Sequence, residues 1–568
     1  MTTTAVGLLE KLPFSDATPC PESLSVCGDA SFMALDAGGE SLLLQGGGSP
    51  GAHGLGGLVW QDPSGPRYLY RFGPADRDNI RAFAERIDRA FLPRPQRALP
   101  AIAAGNRHPE ISLPAVFTAF GEIERSTGRN VASTVQLSAT REMTTDEEIA
   151  RRDGSNPTAP GHTRVSIAHL YHAGLWAAIR AGYRSGYTAE ADHFIVDGAD
   201  EASIARSVEW VKRAIREAAG YTKFTTDTSR LFDLRADVRH RSPWSAGQID
   251  RLFEQRLDRD ERGWVLDAFS GPFACGGRRY RFESAEIRRL AVKFGASLKL
   301  NEELFDEIAR AKGGAAFDFE PSLDEAATLT TPEELIFYMH WLRERGRPAQ
   351  LAPPNLGFKK RQAYPESRAA LSEYAAHKMW PQLLPRVDED FAGDPIGELK
   401  ARVAELADVA RFFDGTLSVH SGSGKQAEVL RSIGAATAGR VNYKISGELQ
   451  LQLFDVLSEQ PRTSPERRLY ESMVAACERF AAAGAFGEES ELAALYQDTH
   501  GSYLGDAGIG RVDGNLFLVF WLGNMVGCRD EQGHFYKEAL DHLPAGIIAE
   551  ARRRNTAYVQ WLAQNLWA

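Results

Sequence analysis

The chain has 568 residues, of which 43% are hydrophobic, enough to bury a large core in more than one domain. A formal net charge of -10 without a basic block argues against a general nucleic-acid binder, because successive phosphates would find no run of cations to neutralise them. Scattered cysteines (Cys20, Cys27, Cys275, Cys477, Cys528), no bilayer-length apolar run and no secretory signal lead us to expect a soluble, cytoplasmic globular protein without a membrane partner.

Residues 1 to about 110 alternate short apolar pieces, such as Ser41 to Leu44 and Tyr68 to Tyr70, with glycine-rich loops. A helical pattern from Asp76 to Phe91 ends at Pro93-Arg94-Pro95, which predicts a small α+β N-terminal region. Gly51 to Gly56 is not read as a dinucleotide loop, since no strand–loop–helix unit surrounds it. From about 130 the pattern becomes strand then helix, repeatedly. The strand candidates are 131–138, 188–196, 222–227, 315–320, 348–352, 415–420 and 441–446. The clearest helices between them are 166–184, 200–218, 332–345, 396–413 and 426–437. Alternation of this kind implies a parallel sheet with helices outside it. With one further strand it closes a TIM-like (β/α)8 barrel over 111–457; an open doubly wound sheet is the competing architecture. The mostly helical segment 230–312 reads as an insertion, and 458–568 as a helical C-terminal region ending in a helix from Ala545 to Leu566.

Polar residues gather at the C-terminal ends of these strands, where a parallel barrel brings distant residues onto one face. The first strand leads to Gln136, Arg141 and Glu142, the second to Glu190, Asp192 and His193, and the third to Asp227. Glu320 follows with Asp324 and Glu325 just beyond it, then Asn355 with Lys359-Lys360-Arg361, then His420, and finally Asn442 and Lys444. Ser418 to Lys425 (SVHSGSGK) hands a histidine, two more serines and a lysine to the loop after the sixth candidate strand. Its GSGK ending is not a P-loop, because Val419 stands where the first glycine belongs and Gln426 follows the lysine. His193 and His420, joined by a carboxylate, suit a divalent cation such as zinc, manganese or nickel, and each also reads as a satisfied core histidine. His169, His172, His340 and His377 read as structural. Gly505 to Gly510 reads as a loop, and Asn515 to Trp521 as core.

The succession QLSATREM (136–143), ADHF (191–194), KFTTDTS (223–229), FEPSLDEA (319–326), SVHSGSGK (418–425) and YKISGE (443–448) resembles the tagaturonate epimerase family over roughly 130 to 510. The resemblance implies a TIM-like barrel and metal-dependent interconversion of D-tagaturonate and D-fructuronate in hexuronate breakdown. It further implies Asp192 as proton acceptor, Glu320 as proton donor, and His193 and His420 as metal ligands. Two positions depart from the family pattern. Asn442 stands where the family carries a histidine, at a further ligand position, and Gly424 stands where it tends to have an aspartate.

The two ketouronates differ at a carbon β to the ketone, which enolisation alone cannot invert. Reversible aldol cleavage can, with a metal stabilising the enediolate and two carboxylates serving the two hydroxyl geometries. Gln136, Arg141, Glu142, Asp227, Ser421, Lys425 and Lys444 are the candidate contacts to a small keto-sugar acid, with Arg141, Lys425 or Lys444 holding its carboxylate. A class II-type aldolase or another ketose isomerase, and a non-catalytic sugar-acid-binding protein, are the alternatives.

Overall fold

Eight parallel strands carry the chain from Ala101 to Ile445 in the computed structural model, which describes residues 12–129, 131–240, 242–324, 328–358, 364–365, 393–485 and 522–567. They are β1 (Ala101–Gly105), β2 (Ser133–Ser138), β3 (Tyr187–Ile195), β4 (Lys223–Asp227), β5 (Asp318–Pro321), β6 (Leu351–Ala352), β7 (Thr416–Val419) and β8 (Val441–Ile445). Neighbours in sequence are neighbours in the sheet, and β8 pairs with β1. Between β5 and β6, bonds from Gln350 N to Phe319 O (3.0 Å) and from Leu323 N to Pro353 O (3.1 Å) draw the two remaining edges together. The result is a nearly closed TIM-like barrel.

A helix follows each strand: α1 (Pro109–Thr127), α2 (Ile167–Arg180), α3 (Glu201–Glu217), α4 (Ser284–Lys312), α5 (Pro332–Glu344), α6 (Pro395–Phe412), α7 (Ala427–Ala436) and α8 (Glu448–Ser458). Side-chain oxygens of Ser166, Asp200, Thr331 and Asp394 accept from first-turn amides of α2, α3, α5 and α6, satisfying donors that those helices leave open. Alternate strand residues point out to the helices and form the core, among them Val135, Leu137, Phe224, Phe319, Leu417, Val441 and Tyr443. The other set points inward and is largely polar.

The sequence-predicted strands all recur within a few residues. The eighth is β1, in a stretch that reads from sequence as part of the N-terminal region, because AIAAG offers no β-branched alternation beyond Ile102. The reading of 230–312 as one insertion is corrected. Its second part is α4, a barrel helix that packs between α3 and α5 and buries Leu290, Phe294, Leu298, Leu304 and Ile308. The true excursion is 228–283, with helices Ala246–Arg256 and Arg259–Ala268 and a hairpin of Phe273–Cys275 with Arg278–Tyr280.

Before the barrel, strands between Thr18 and Arg71 form a six-stranded antiparallel sheet. It is tied to α2 by Arg180, which donates to Asp36 Oδ1 (2.8 Å) and Ser41 Oγ (2.6 Å). The helix read from Asp76 to Phe91 breaks up: Arg77–Ala82 is α-helical, and a π-helical turn and a 3-10 turn follow. After the barrel come helices Pro465–Ala482 and Ala545–Leu566; the last lies along α1, α7 and α8. Glu325, Lys359-Lys360-Arg361, His377, Gly505 to Gly510 and Asn515 to Trp521 lie outside the described residues. No described helix is long and apolar enough to cross a membrane.

Candidate active site at the barrel mouth

A barrel interior is ordinarily filled by branched aliphatic side chains. Here it holds charge. Lys444, inward on β8, places Nζ 2.6 Å from Glu190 Oε1, 2.7 Å from Asp192 Oδ1 and 2.8 Å from Glu320 Oε1, with Thr225 Oγ1 at 3.1 Å. Lys223, inward on β4, lies 3.1 Å from both Glu190 Oε2 and Glu320 Oε2. Burial would lower the Lys444 pKa, but Asp192, Glu190 and Glu320 hold it well above the ordinary lysine value. Burial likewise opposes ionisation of Glu320, yet Lys223, Lys444 and His420 keep it far below the usual carboxylate range.

Above this layer sit the two histidines. Strand alternation should turn one of Asp192 and His193 outward. A register shift between Ala191 and Phe194, with His193 at φ +40°, instead lets both face the interior. That left-handed conformation is unusual for a residue with a side chain and marks a site held by its surroundings. The clamp is Thr140, whose Oγ1 donates to His193 O (3.0 Å) and accepts from Ile195 N (2.9 Å). His420 follows β7, and the next residue, Ser421, is also left-handed at φ +56°. The two imidazole centroids are 5.1 Å apart and nearly perpendicular.

His420 Nε2 meets Glu320 Oε1 at 2.5 Å, and its Nδ1 lies 2.9 Å from Asp324 Oδ2. His193 Nδ1 lies 3.4 Å from Asp227 Oδ2, and its Nε2 lies 3.8 Å from Asp192 Oδ2. Burial works against a charged ring at His193, but Asp192, Asp227 and Asp324 push its pKa up to about 10. Burial and Lys444 oppose protonation of His420, and Asp324 and Glu320 raise it nonetheless. Asp192, Asp227 and Asp324 are all held below the ordinary aspartate value against their own burial, with His193 or His420 the main cause.

One ligand atom from each of His193, Asp324 and His420 lies within 4.8 Å of the others, a donor set of the kind that divalent cations take. The electrostatics agree. Glu190, Asp192, Asp227, Glu320 and Asp324 face Lys223 and Lys444 as the permanent cations among the described residues, and this surplus of carboxylate is what raises the pKa of both histidines. A divalent cation would supply balancing positive charge.

Among the sequence-predicted residues, Asp192, His193, Glu320, His420, Asp227 and Lys444 converge here, and Gln136 joins them by donating from Nε2 to Asp192 Oδ2. Asn442 does not join the histidine cluster: it points into the barrel, and its Nδ2 donates to Ser418 Oγ (2.8 Å), which in turn donates to Glu320 Oε1 (3.0 Å). Glu142 is buried and accepts from Arg107 Nη2 (2.8 Å), with the partly exposed Arg141 3.7 Å away. Lys425 is buried, donates to Ser423 O (3.3 Å) and sits 5.0 Å from the Phe358 ring centroid. Burial pulls its pKa down to about 7, against the charge of Glu448. His169, His172 and His340 lie on barrel helices, bonded to Glu110, Ala168 O and Ala268 O. Sequence reasoning passed over Asp324 as a ligand, together with Lys223 and Thr140. Lys223 was open to discovery, since it lies four residues before Asp227 on the same face of β4; the clamp by Thr140 was not, because nothing in a sequence marks a bulge.

A family model described as tagaturonate epimerase matches residues 162–365. A curated tagaturonate/fructuronate epimerase from Thermotoga maritima is 26% identical over 286 residues, 50% of this chain and 49% of that protein, so the match spans about half the length of this relative. Crystal structures of a fructuronate-tagaturonate epimerase from Cohnella laeviribosi, native and with one glycerol, match 99% of both chains at TM-scores of 0.67 and 0.66. At 18% identity that likeness is one of fold.

Proposed function

We propose that this tagaturonate epimerase-like chain is an isomerase that interconverts the ketouronates D-tagaturonate and D-fructuronate at the barrel mouth. The observation that carries the reading is the convergence of Asp192, His193, Glu320, Asp324 and His420 around one point, with Lys444 bridging the two acid/base carboxylates. His193, His420 and Asp324 would hold a divalent metal such as zinc, manganese or nickel. When bound, such an ion supplies Lewis acidity toward the ketone oxygen and its neighbouring hydroxyl.

Asp192 takes the proton of the hydroxyl on the carbon β to the ketone. The bond from that carbon to its neighbour breaks; its electron pair enters the enediolate conjugated with the ketone, and an aldehyde is left. After the aldehyde turns, the bond re-forms on its other face and the new alkoxide takes its proton on the side of Glu320, which is ionised at rest and carries that proton only in passing. Lys444 Nζ, hydrogen-bonding distance from both carboxylates, is the group through which the proton taken at Asp192 returns to Glu320. Contact with the substrate carboxylate is assigned to Lys425, Ser421 and Arg141.

The test is product analysis on purified protein supplied with each candidate metal. Appearance of fructuronate from tagaturonate, and the reverse, is expected. Both sugars unchanged would sink the activity, and accumulation of three-carbon fragments would turn the reading toward an aldolase. Metal analysis separates the ligands from the chemistry: Asp324→Asn should lose at least about tenfold in metal affinity, while Asn442→Ala keeps its metal.

A further inference from the structure

An imidazole that ligates a cation gives it one ring nitrogen and leaves the other to hydrogen-bond, and the partner of the second nitrogen decides which is which. His420 has a carboxylate at each. Its Nε2 meets Glu320 Oε1 at 2.5 Å, and its Nδ1 lies 2.9 Å from Asp324 Oδ2. The two carboxylates are held in different ways.

Glu320 is fully buried on β5 and ringed by donors. Lys444 Nζ lies 2.8 Å from Oε1, Ser418 Oγ donates to the same oxygen (3.0 Å), and Lys223 Nζ lies 3.1 Å from Oε2. Ser418 is held in turn by Asn442, whose Nδ2 donates to its Oγ (2.8 Å). A carboxylate fixed from β4, β7 and β8 together is not free to turn, and its oxygens are committed as acceptors. The nitrogen that faces it has to carry the proton. A neutral imidazole has one N–H and one lone pair, so the lone pair of His420 falls on Nδ1.

Asp324 lies three residues beyond β5. Ser322 Oγ donates to its Oδ1, which leaves Oδ2 toward His420. Asp324 belongs with His193 and His420 to the donor set of the site, and Glu320 does not. The spacing also suits a shared ion. Two donors at about 2.1 Å from one cation and at right angles to each other stand about 3 Å apart, close to the separation of Nδ1 and Oδ2.

On the reading that His193, Asp324 and His420 hold a divalent metal, we propose that Glu320 is the positioning residue of His420. It accepts the Nε2–H hydrogen bond, fixes the ring, and so presents Nδ1 to the cation beside Asp324 Oδ2. Asn442, which stands apart from the histidines, enters the metal site only at the far end of this chain through Ser418 and Glu320.

A crystal structure of the full chain loaded with zinc tests the assignment without any variant. His420 Nδ1 should stand about 2.0–2.1 Å from the ion, with Nε2 still against Glu320. Competition with a chelator for zinc tests the role of the carboxylate. Glu320→Ala should weaken zinc binding by about 10–100-fold. Glu320→Gln should recover most of that loss although it too removes the charge, because three donors face the Oε1 position and draw the amide oxygen toward His420. Loss of charge alone would weaken the two variants alike. The proposal is overturned if zinc bonds His420 Nε2, if Glu320→Ala holds zinc as tightly as wild type, or if Glu320→Gln binds as weakly as Glu320→Ala. A wild-type protein that binds no zinc, manganese or nickel would overturn the metal reading and this assignment with it. Zinc bound through Nδ1 in a protein that leaves both ketouronates unchanged would uphold the assignment and remove the reaction alone.

Discussion

His193 faces the barrel interior because a single hydroxyl holds an unfavourable backbone conformation. Thr140→Val keeps the shape of that side chain and removes both its donation to His193 O and its acceptance from Ile195 N. Loss of about 1–3 kcal/mol in urea denaturation is expected, with weaker metal retention in parallel. Lys425 permits a pH argument. Its folded-state pKa near 7 lies below the ordinary lysine value, so the unfolded chain binds more protons and stability rises with pH between about 7 and the ordinary value. The proton that grips a substrate carboxylate is lost over the same range, so KM for a ketouronate should rise as pH passes through 7. Lys425→Met should abolish that slope and raise KM by about 10–100-fold, the worth of one charge-assisted hydrogen bond. A pH-independent KM in the wild-type protein would contradict the role.

At the scale of elements, the strand–helix alternation was legible because outward-facing strand residues are apolar and several helices carry capping residues at the expected places. The strand β1 was not, since small residues suffice where α8 packs against it, and small residues carry no strand signal. The same limit hid α4 within a longer helical stretch. Periodicity marks a helix without saying what it packs on. Lys293 on α4 anchors the 228–283 excursion to the barrel through Asp237 Oδ2 and Glu334 Oε1, both at 2.6 Å and buried. Lys293→Met leaves two carboxylates buried without this partner and should cost about 3–5 kcal/mol by denaturant titration. On α7, Gly434 lies against the carbonyl of Leu566 in the last helix. Alanine there would favour an isolated helix, yet Gly434→Ala should destabilise the protein by about 1–3 kcal/mol, because the added methyl meets backbone rather than a movable side chain.

For the whole molecule, the charge of the barrel interior joins stability to ligand. A cation bound only by the folded state stabilises it by RT ln(1 + [L]/Kd), about 4 kcal/mol at a thousandfold excess over Kd. Zinc, manganese or nickel should therefore raise the thermal midpoint, and a chelator should reverse the rise. His193→Ala combined with His420→Ala should flatten the response, and an undiminished shift in that double variant would place the cation elsewhere. Sequence by itself determined the alternation of strands and helices and the gathering of polar residues, Asp192, His193, Glu320 and His420 among them, at strand ends, because those follow from local periodicity. Only the tertiary structure decided that Asp324, and not Asn442, stands beside the histidines, and that Lys223 and Lys444 bind the carboxylates together. Each of those depends on where a loop lands or how a strand bulges, which contacts far apart in sequence determine and local pattern does not record.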